Sequence, residues 1–379
     1  MAFRPSQVEL GAIKYGGHMR RYSLVKSCLL VCLFAPHVSA QGLDLGEDPV
    51  GYLSFGIGYN MDAGASVSGR LKHDQFLGHD QTIDFGFDVA EDEQSYDLLF
   101  QNNGIGDGNP KFAFVLGHVT ADRQSQMGID TAETFFRPQA VFSNAGSELT
   151  VEAIFGRDEV ANVANAPTVL QAELGTRDIY GLGVDYTAQH AGWSYSVSGE
   201  IISDGGDLAY GKVETVASYD IPMSQSDTEF GFRLAAGMIA VSKGQTTIND
   251  RFIPSSGVLR GFEAGGFGPS DASVLGGAPV GATNYAVMSF DARRTGLVSS
   301  MPEVAIGGFV DVGSAWGLDD NGVAARAAID DSANLRASVG LTVSRAFGPA
   351  RVELVLAHPF QHEDTDHLQE VQINFSSKF

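Results

Sequence analysis

The chain has very little cysteine and little positive charge. Its two cysteines, Cys28 and Cys32, both lie within residues 1–40, so the rest of the chain can form neither a disulfide nor a cysteine-ligated metal site. Lys and Arg number 24 against 46 Asp and Glu, which gives a formal net charge of −22. The phosphates of nucleic acid would repel such a polyanion, and we expect no nucleic-acid partner.

The N-terminal segment has the pattern of an export signal. Basic residues precede a short apolar run, and small residues follow it, as in a secretory signal peptide. We predict that this signal covers residues 19–40 and is cleaved before Gln41, with the twin-arginine route as an alternative to the general export route. Residues 1–18 are then an N-terminal extension that precedes the true start at Met19.

Beyond the leader, the sequence lacks any apolar run near the roughly 20 residues that a membrane-spanning helix needs. It has instead segments that alternate strictly between apolar and small or polar residues, as in Gly51–Tyr59, Ala65–Lys72 and Thr82–Val89. A period of two predicts strands with one apolar face. That face would point into the core of a soluble sandwich but toward lipid in a membrane barrel, and periodicity alone leaves both open.

The number of strands and the lengths of the loops favour the membrane barrel. About 16 strand-like segments can be counted, an even number as single-chain bacterial barrels require. Long connections such as Ser242–Gly281 fall on one side of the predicted sheet and short turns such as Ser143–Ser147 on the other, which is the asymmetry of outer-membrane proteins. We therefore predict an all-β fold, a transmembrane antiparallel β-barrel of about 16 strands over residues 51–379, with a periplasmic lead-in at residues 41–50.

The last segment, Leu368–Phe379, ends on an aromatic residue at the carboxylate. Its apolar row includes Phe375 and Phe379, and this spacing is similar to the signal by which barrel precursors are recognised for assembly. The alternative is a soluble edge strand that happens to end on phenylalanine. With the leader, the pattern predicts a monomeric barrel in an outer membrane of Gram-negative type, with membrane lipid as a partner.

The connection between the eleventh and twelfth strands carries Leu259–Phe262, which reads LRGF, followed by Gly265–Pro269. This resembles the V/L-R-G-F loop of the BamA/TamA family of outer-membrane barrels, also called the bacterial surface antigen superfamily. The resemblance continues in Gly51–Tyr59, in Phe309–Trp316 and through the last strand. It implies a long internal loop between strands 11 and 12. Because few residues precede the first strand, it also implies a barrel-only member that lacks POTRA domains.

In the family, this loop folds back into the lumen, where Arg260 would need an acidic partner because an unpaired guanidinium loses hydration. Alternation along strands 12 and 13 turns Asp291 and Asp311 inward, and both match family positions that meet the loop arginine. We predict that Arg260 bridges these carboxylates and pins the loop; a solvated loop arginine is the alternative. Gly261 is predicted to need an unusual φ, and Phe262 to anchor the loop.

A closed barrel must pair its first strand with its last. In the family this seam is a lateral gate, thought to open so that client strands can add by β-augmentation. The resemblance implies a lateral seam lined by glycines of the first strand and polar residues of the last: Gly56, Gly58, Gln372, Asn374 and Ser376. For the two glycines, ordinary lumen-facing positions are the alternative interpretation.

Histidines and acids crowd the last hairpin loop, where a metal site or an exposed acidic loop could form: His358, His362, Glu363, Asp364, Asp366 and His367. Their spacing matches no known ligand pattern, so we expect no metal and no cofactor. The sequence has no nucleophile elbow, P-loop or dinucleotide motif, and we expect no enzymatic activity.

The leading functional hypothesis is assistance in the insertion, assembly or translocation of proteins at the outer membrane through the seam. Its partners would be client β-barrel precursors or secreted proteins. A passive pore or secretion channel plugged by the internal loop is the first alternative, and a structural surface-antigen barrel is the second.

Overall fold

The computed structural model describes residues 51–60, 64–77, 81–102, 110–222, 227–319, 328–347 and 350–377. The leader and lead-in predicted within residues 1–50 lie outside this part of the chain. Among the described residues, no helix is both long and apolar enough to cross a bilayer.

Sixteen strands form one antiparallel sheet, in which neighbours in the chain are neighbours in the sheet. They are β1 (Gly51–Asn60), β2 (Gly64–His73), β3 (Gln81–Ala90), β4 (Glu93–Asn102), β5 (Lys111–Asp122), β6 (Asp130–Asn144), β7 (Ser147–Ala161), β8 (Gly175–His190), β9 (Trp193–Ser203), β10 (Ala209–Pro222), β11 (Thr228–Lys243), β12 (Asn284–Arg294), β13 (Val304–Trp316), β14 (Arg336–Phe347), β15 (Ala350–Gln361) and β16 (Val371–Ser377). The predicted number and order of strands are confirmed. β12 begins at Asn284 rather than directly after the predicted connection Ser242–Gly281, because Ala282 pairs with Phe252 inside the preceding connection.

The sheet is apolar on its outer face and polar on its inner face. Leu53, Phe55 and Leu182 expose 62%, 60% and 64% of their surface, whereas the inward-facing Asp84 and Glu152 expose 7% and 5%. Soluble monomers do not expose apolar surface on this scale, because water solvates it poorly. The inside-out alternation is that of a transmembrane β-barrel, whose outer face meets lipid.

Aromatic rings form a continuous row along the outer face from β4 to β8. Successive ring centroids lie 5.2, 6.0, 6.2 and 6.4 Å apart. The rings belong to Phe100, Phe114, Phe136, Phe155 and Tyr180. Rings with apolar bodies pack favourably with one another and suit the lipid-facing wall and its interface.

The loops follow the predicted asymmetry in part. The connections over residues 162–174, 244–283 and 317–335 all lie at one end of the sheet, while the two-residue turn 145–146 lies at the other. The connections at the second end are not all short, since the nine residues 295–303 connect β12 to β13 there.

The last strand is shorter than predicted. Leu368–Gln369 does not join the large sheet but pairs with Gly261–Phe262 of the long connection. Only Val371–Ser377 pairs with β15. The segment predicted as one strand is therefore divided between two sheets, because the lumen offers the start of the segment a second pairing partner. Phe379 lies outside the described residues.

Candidate functional site: the internal loop and the seam

Residues 244–283 connect β11 to β12 and are called the internal loop below; most of them are buried inside the barrel, whereas Leu275 is fully exposed. Strand side chains donate to four carbonyl oxygens of this loop: Lys212 to Asp250 (2.7 Å), Arg233 to Gly257 (3.0 Å), Gln372 to Ser256 (3.4 Å) and Ser338 to Arg260 (2.6 Å). The donors belong to β10, β11, β16 and β14, so four strands of the C-terminal half of the sheet hold the loop. These hydrogen bonds satisfy carbonyl groups that would be costly to leave unpaired in the lumen.

The internal loop also brings apolar side chains into the lumen. Phe252, Leu259 and Phe262 expose 6%, 0% and 0% of their surface. They pack in one cluster with inward-facing wall residues such as Ile154 and Ile202. The loop is therefore a packed plug rather than a solvated excursion, and its burial stabilises it by the hydrophobic effect.

Arg260 lies between the two carboxylates that the alternation pointed inward. Its Nε and Nη2 donate to the two oxygens of Asp311 at 2.7 and 2.5 Å, and its Nη1 donates to Asp291 at 2.6 Å. We call this group of three side chains the loop lock. The side chain of Asp311 is fully buried, so solvent screening does not weaken this ion pair. The geometry is incompatible with a solvated loop arginine.

Two further groups hold Arg260, and neither was predicted. Its guanidinium lies 3.7 Å from the ring centroid of Phe309, a cation–π contact, and its carbonyl accepts the hydroxyl of Ser338. Burial disfavours the charged guanidinium, but the hydrogen bonds and charges of Asp311 and Asp291 outweigh it and raise the pKa of Arg260. Arg260 therefore stays charged inside the barrel.

Gly261 and Phe262 adopt the geometry expected of a turn and an anchor. Gly261 has φ +96°, and a Cβ there would lie 3.0 Å from Cγ of Pro359 and 3.2 Å from Cβ of Ala357. Both its conformation and its close approach to β15 favour glycine. The ring of Phe262 packs edge-on against Phe267, with centroids 5.6 Å apart.

A second anchor, which sequence reasoning missed, holds the internal loop at Asp250. The carboxylate accepts hydrogen bonds from Nη2 of Arg177 at 2.6 Å, the hydroxyl of Tyr210 at 2.6 Å and the amide of Thr247 at 2.8 Å. Burial alone would raise the pKa of Asp250, but the charge of Arg177 and these donors outweigh it and lower that pKa. Asp250 is thus an ionised carboxylate fixed to β8 and β10.

The neighbouring Arg251 binds the loop to the other long connections. Its side chain is fully buried and donates to Glu173 at 2.5 Å. Burial raises the pKa of Glu173 more than Arg251 lowers it. The hydroxyl of Thr246 also donates to Asp319 at 2.7 Å. The sequence offered one sign of this second anchor: the adjacent pair Asp250-Arg251 stands in a stretch with few other charges.

An apolar core joins the long connections at one end of the barrel. Its members come from the connections after β5, β7, β11 and β13: Met127, Ile129, Ala166, Val169, Leu170, Ile248, Val280, Leu318 and Ile329, with Val160 of β7. Six of these residues expose 2% of their surface or less: Met127, Ile129, Val169, Leu170, Ile248 and Val280. These connections therefore form a packed cap around the internal loop.

The connection between β15 and β16 is exposed at His362 and Asp364, as an exposed acidic loop would be, but it also contains a buried carboxylate. Asp366 exposes 1% of its side chain and forms two hydrogen bonds with Arg336 of β14, at 3.0 and 2.9 Å. It also accepts the amide of Glu363 at 2.8 Å. Among the residues that the structure describes, no group of three His, Cys, Asp or Glu side chains is arranged to hold a metal ion.

His367, in the same connection, faces the internal loop. Its Nε2 lies 3.1 Å from the carbonyl oxygens of Gly276 and Gly277, and its Nδ1 lies 3.6 Å from the carboxylate of Glu263. The interaction with Glu263 raises the pKa of His367, although partial burial opposes the shift. The protonated ring can thus bind two parts of the internal loop at once.

The seam residues are placed along two neighbouring strands. Gly56 and Gly58 pair with Ser68 and Ser66 of β2. Gln372 exposes 4% of its surface and points inward, where it donates to the internal loop. Other predicted positions of β16 pair with β15: Asn374 with Glu353, Phe375 with Val352 and Ser376 with Arg351. The structure does not describe the side chains of Ile57, Tyr59, Asn374 and Ser376.

A cavity of about 150 Å³ remains beside the internal loop. Its wall mixes acidic and basic side chains, among them Glu133, Arg137, Glu200, Lys212 and Glu214. This space is polar and large enough to hold ordered water.

The sequence and the structure were compared with known proteins. The Omp85 superfamily domain matches residues 75–379. The structure is similar to that of BamA from Haemophilus ducreyi lacking POTRA domains 1-3, with a TM-score of 0.75 and 16% identity over 86% of this chain and 70% of that chain. Comparison of the sequence with curated proteins gave no match.

Two other solved structures align less well with this chain. CdiB from Acinetobacter baumannii gives a TM-score of 0.49 with 12% identity, over 85% of this chain and 57% of that chain. The copper transporter OprC gives 0.39 with 10% identity, over 87% of this chain and 61% of that chain.

The sixteen-stranded sheet, its lipid-facing exterior and its lumen-filling loop define an outer-membrane β-barrel. The chain belongs to the Omp85 superfamily, since the family's domain matches most of its length. The likeness to BamA shows the same fold. The family expected from the LRGF loop is thereby confirmed.

Proposed function

We propose that this barrel assists the insertion, assembly or translocation of proteins at the outer membrane, through the seam between β1 and β16. Client β-barrel precursors or secreted proteins would be its partners. One observation carries the proposal: β1 and β16 lie side by side, yet no ladder of hydrogen bonds joins them within the described residues, where the sheet starts at β1 and ends at β16.

The facing edges of β1 and β16, between which the described residues form no ladder, could bind a client strand. A free edge presents a row of N–H and C=O groups, which can template an added strand. In lipid such groups cannot be satisfied by water, so pairing with a client strand is strongly favoured. The flanking side chains Leu53, Phe55 and Val371 expose 62%, 60% and 46% of their surface, which places this edge where an arriving strand would meet lipid.

The test is to lock the seam with a disulfide. Cysteines placed singly at Leu53 or Phe55 of β1 and at Val371 or Ile373 of β16 would be screened for the pair that crosslinks on oxidation. With the seam locked, the amounts of client outer-membrane proteins, measured by proteomics against a deletion strain, should fall to the deletion level. They should recover on reduction.

A matched control uses the ladder between β1 and β2. Leu53→Cys with Leu71→Cys joins directly paired residues and should leave client levels unchanged. If the locked seam retains full activity while the crosslink is complete, opening of the seam is not the mechanism.

A plugged pore is the second candidate, because the internal loop packs its apolar side chains against the inner wall of the barrel. Planar-bilayer conductance would be compared for the intact chain and a variant in which a short Gly-Ser linker replaces residues 246–281. A pore role predicts large conductance in the variant and no change in other outer-membrane proteins when the gene is deleted. The assembly role predicts that deletion alters those proteins.

A further inference from the structure

The internal loop and the β15–β16 connection are joined by paired backbone. Gly261–Phe262 and Leu368–Gln369 form a two-residue antiparallel ladder. Beyond it, the amide of Glu263 donates to the carbonyl of His367 at 3.0 Å, and the amide of His367 donates to the carbonyl of Gly266 at 2.8 Å. Together these form a tether, a name kept below for this paired segment.

Both sides of the tether are fixed to β14. Ser338 donates to the carbonyl of Arg260, one residue before the tether. Arg336 holds Asp366, two residues before Leu368. Ser338 and Arg336 expose 0% and 3% of their surface, so both attachments are shielded from water and hold their geometry.

The tether lies between the loop lock and the seam. Arg260 is adjacent to Gly261 at one end of it, and β16 begins at Val371, two residues after Gln369. The start of β16 is therefore held on one side by β15 and on the other by the internal loop. A displacement of Gly261 would be transmitted through backbone hydrogen bonds to this strand.

We infer that the loop lock and the seam are mechanically coupled through the tether, so that release of Arg260 loosens the start of β16. The coupling deepens the proposed function, which gives the seam its role, but it is a property of the fold. Because coupling between two sites is reciprocal, loosening the tether should also weaken the hold on Arg260.

Hydrogen exchange of the purified barrel in detergent measures the coupling without any client protein. Arg260→Ala should raise the exchange rate of the amides over residues 368–372 by about tenfold, a usual size for coupling between sites. Amides of β8 and β9, far along the sheet, should keep their protection. Arg157→Ala removes an exposed ion pair with Asp178 and should change neither region.

A disulfide across the tether provides the decisive control. Continuing the ladder places Glu263 opposite His367, which suits Glu263→Cys with His367→Cys. In the oxidised protein Arg260→Ala should no longer raise exchange at residues 368–372, and on reduction the effect should return. If Arg260→Ala fails to fold, Ser338→Ala removes a single hydrogen bond to the same residue and should show the same pattern.

The inferred coupling is wrong if a folded Arg260→Ala or Ser338→Ala variant shows unchanged exchange at residues 368–372. It is also wrong if the variant still raises exchange there when the disulfide across the tether is formed. Failure of the seam-locking experiment with coupling intact would overturn the proposed function alone.

Discussion

Arg260 and Asp311 are joined by a fork of two side-chain hydrogen bonds, 2.7 and 2.5 Å long. The backbone amide of Arg260 adds a third at 3.1 Å. A planar guanidinium matches a carboxylate in this way, whereas an ammonium group cannot. Because Asp311 is fully buried, removal of Arg260 would leave a buried charge without its ion-pair partner.

Arg260→Ala should therefore destabilise the folded barrel by about 3–5 kcal/mol, the usual effect of breaking a buried pair. Arg260→Lys should restore part of this, since it keeps the charge but not the fork. The measurement is the temperature at which the folded band disappears in semi-native electrophoresis. Arg157→Ala, which breaks an exposed pair, should leave that temperature unchanged. An equal effect of both alanine variants would contradict a special role for the loop lock.

The partners of Arg260 could be predicted because alternation turns Asp291 and Asp311 inward and the family resemblance selects these two among the inward-facing acids. Once the lipid-facing rows of strands 12 and 13 are identified, Asp291 and Asp311 can only point inward. The same reasoning gives the strand number and the outer face. It could also have placed Phe309 beside the arginine, since Phe309 and Asp311 share one face of β13.

The second anchor could not be predicted in this way. Asp250 and Arg251 lie in a loop without periodicity, and their partners Arg177 and Glu173 are more than 70 residues away in the chain. The division of the last strand failed for a related reason. Alternation shows that Leu368–Gln369 is extended, but not that the internal loop supplies its pairing partner.

Asp250→Asn tests the second anchor. The amide oxygen can still accept from Arg177 and Tyr210, which share Oδ1, but the amide nitrogen cannot accept from the backbone N–H of Thr247. The charge opposite the partly buried guanidinium of Arg177 is also lost, and the folded barrel should lose about 3 kcal/mol. Either Asp250→Asn or Arg260→Ala alone should leave the lumen plugged, because one anchor still holds the loop. The double variant should show new openings in planar-bilayer recordings. Openings of equal size in either single variant would show that the anchors do not act independently.

Gly261→Ala should weaken the tether through strain. A positive φ disfavours alanine, and its Cβ would lie 3.0 Å from Pro359, for a combined cost of about 1–3 kcal/mol. Gly276→Ala is the matched control: φ is also positive at +86°, but a Cβ there meets nothing within 4 Å. External protease should cut the internal loop faster in the first variant than in the second. Equal cleavage would mean that contact with β15 does not matter.

The hold of His367 on the internal loop should depend on pH. The pKa of His367 in the folded barrel is raised above its ordinary value of 6.5, so its contribution is complete below that value and is lost as pH rises through the folded pKa. Protection of residues 368–372 from hydrogen exchange, corrected for the intrinsic rate, should therefore fall as the pH rises above 6.5 through the folded pKa. His367→Gln keeps a donor for the carbonyls of Gly276 and Gly277 but cannot titrate, and its corrected protection should be flat over this interval. The two proteins differ only in whether residue 367 can change its charge beside Glu263. An equally flat pH profile of protection in the wild type would therefore mean that packing, not the charge of His367, holds this part of the internal loop.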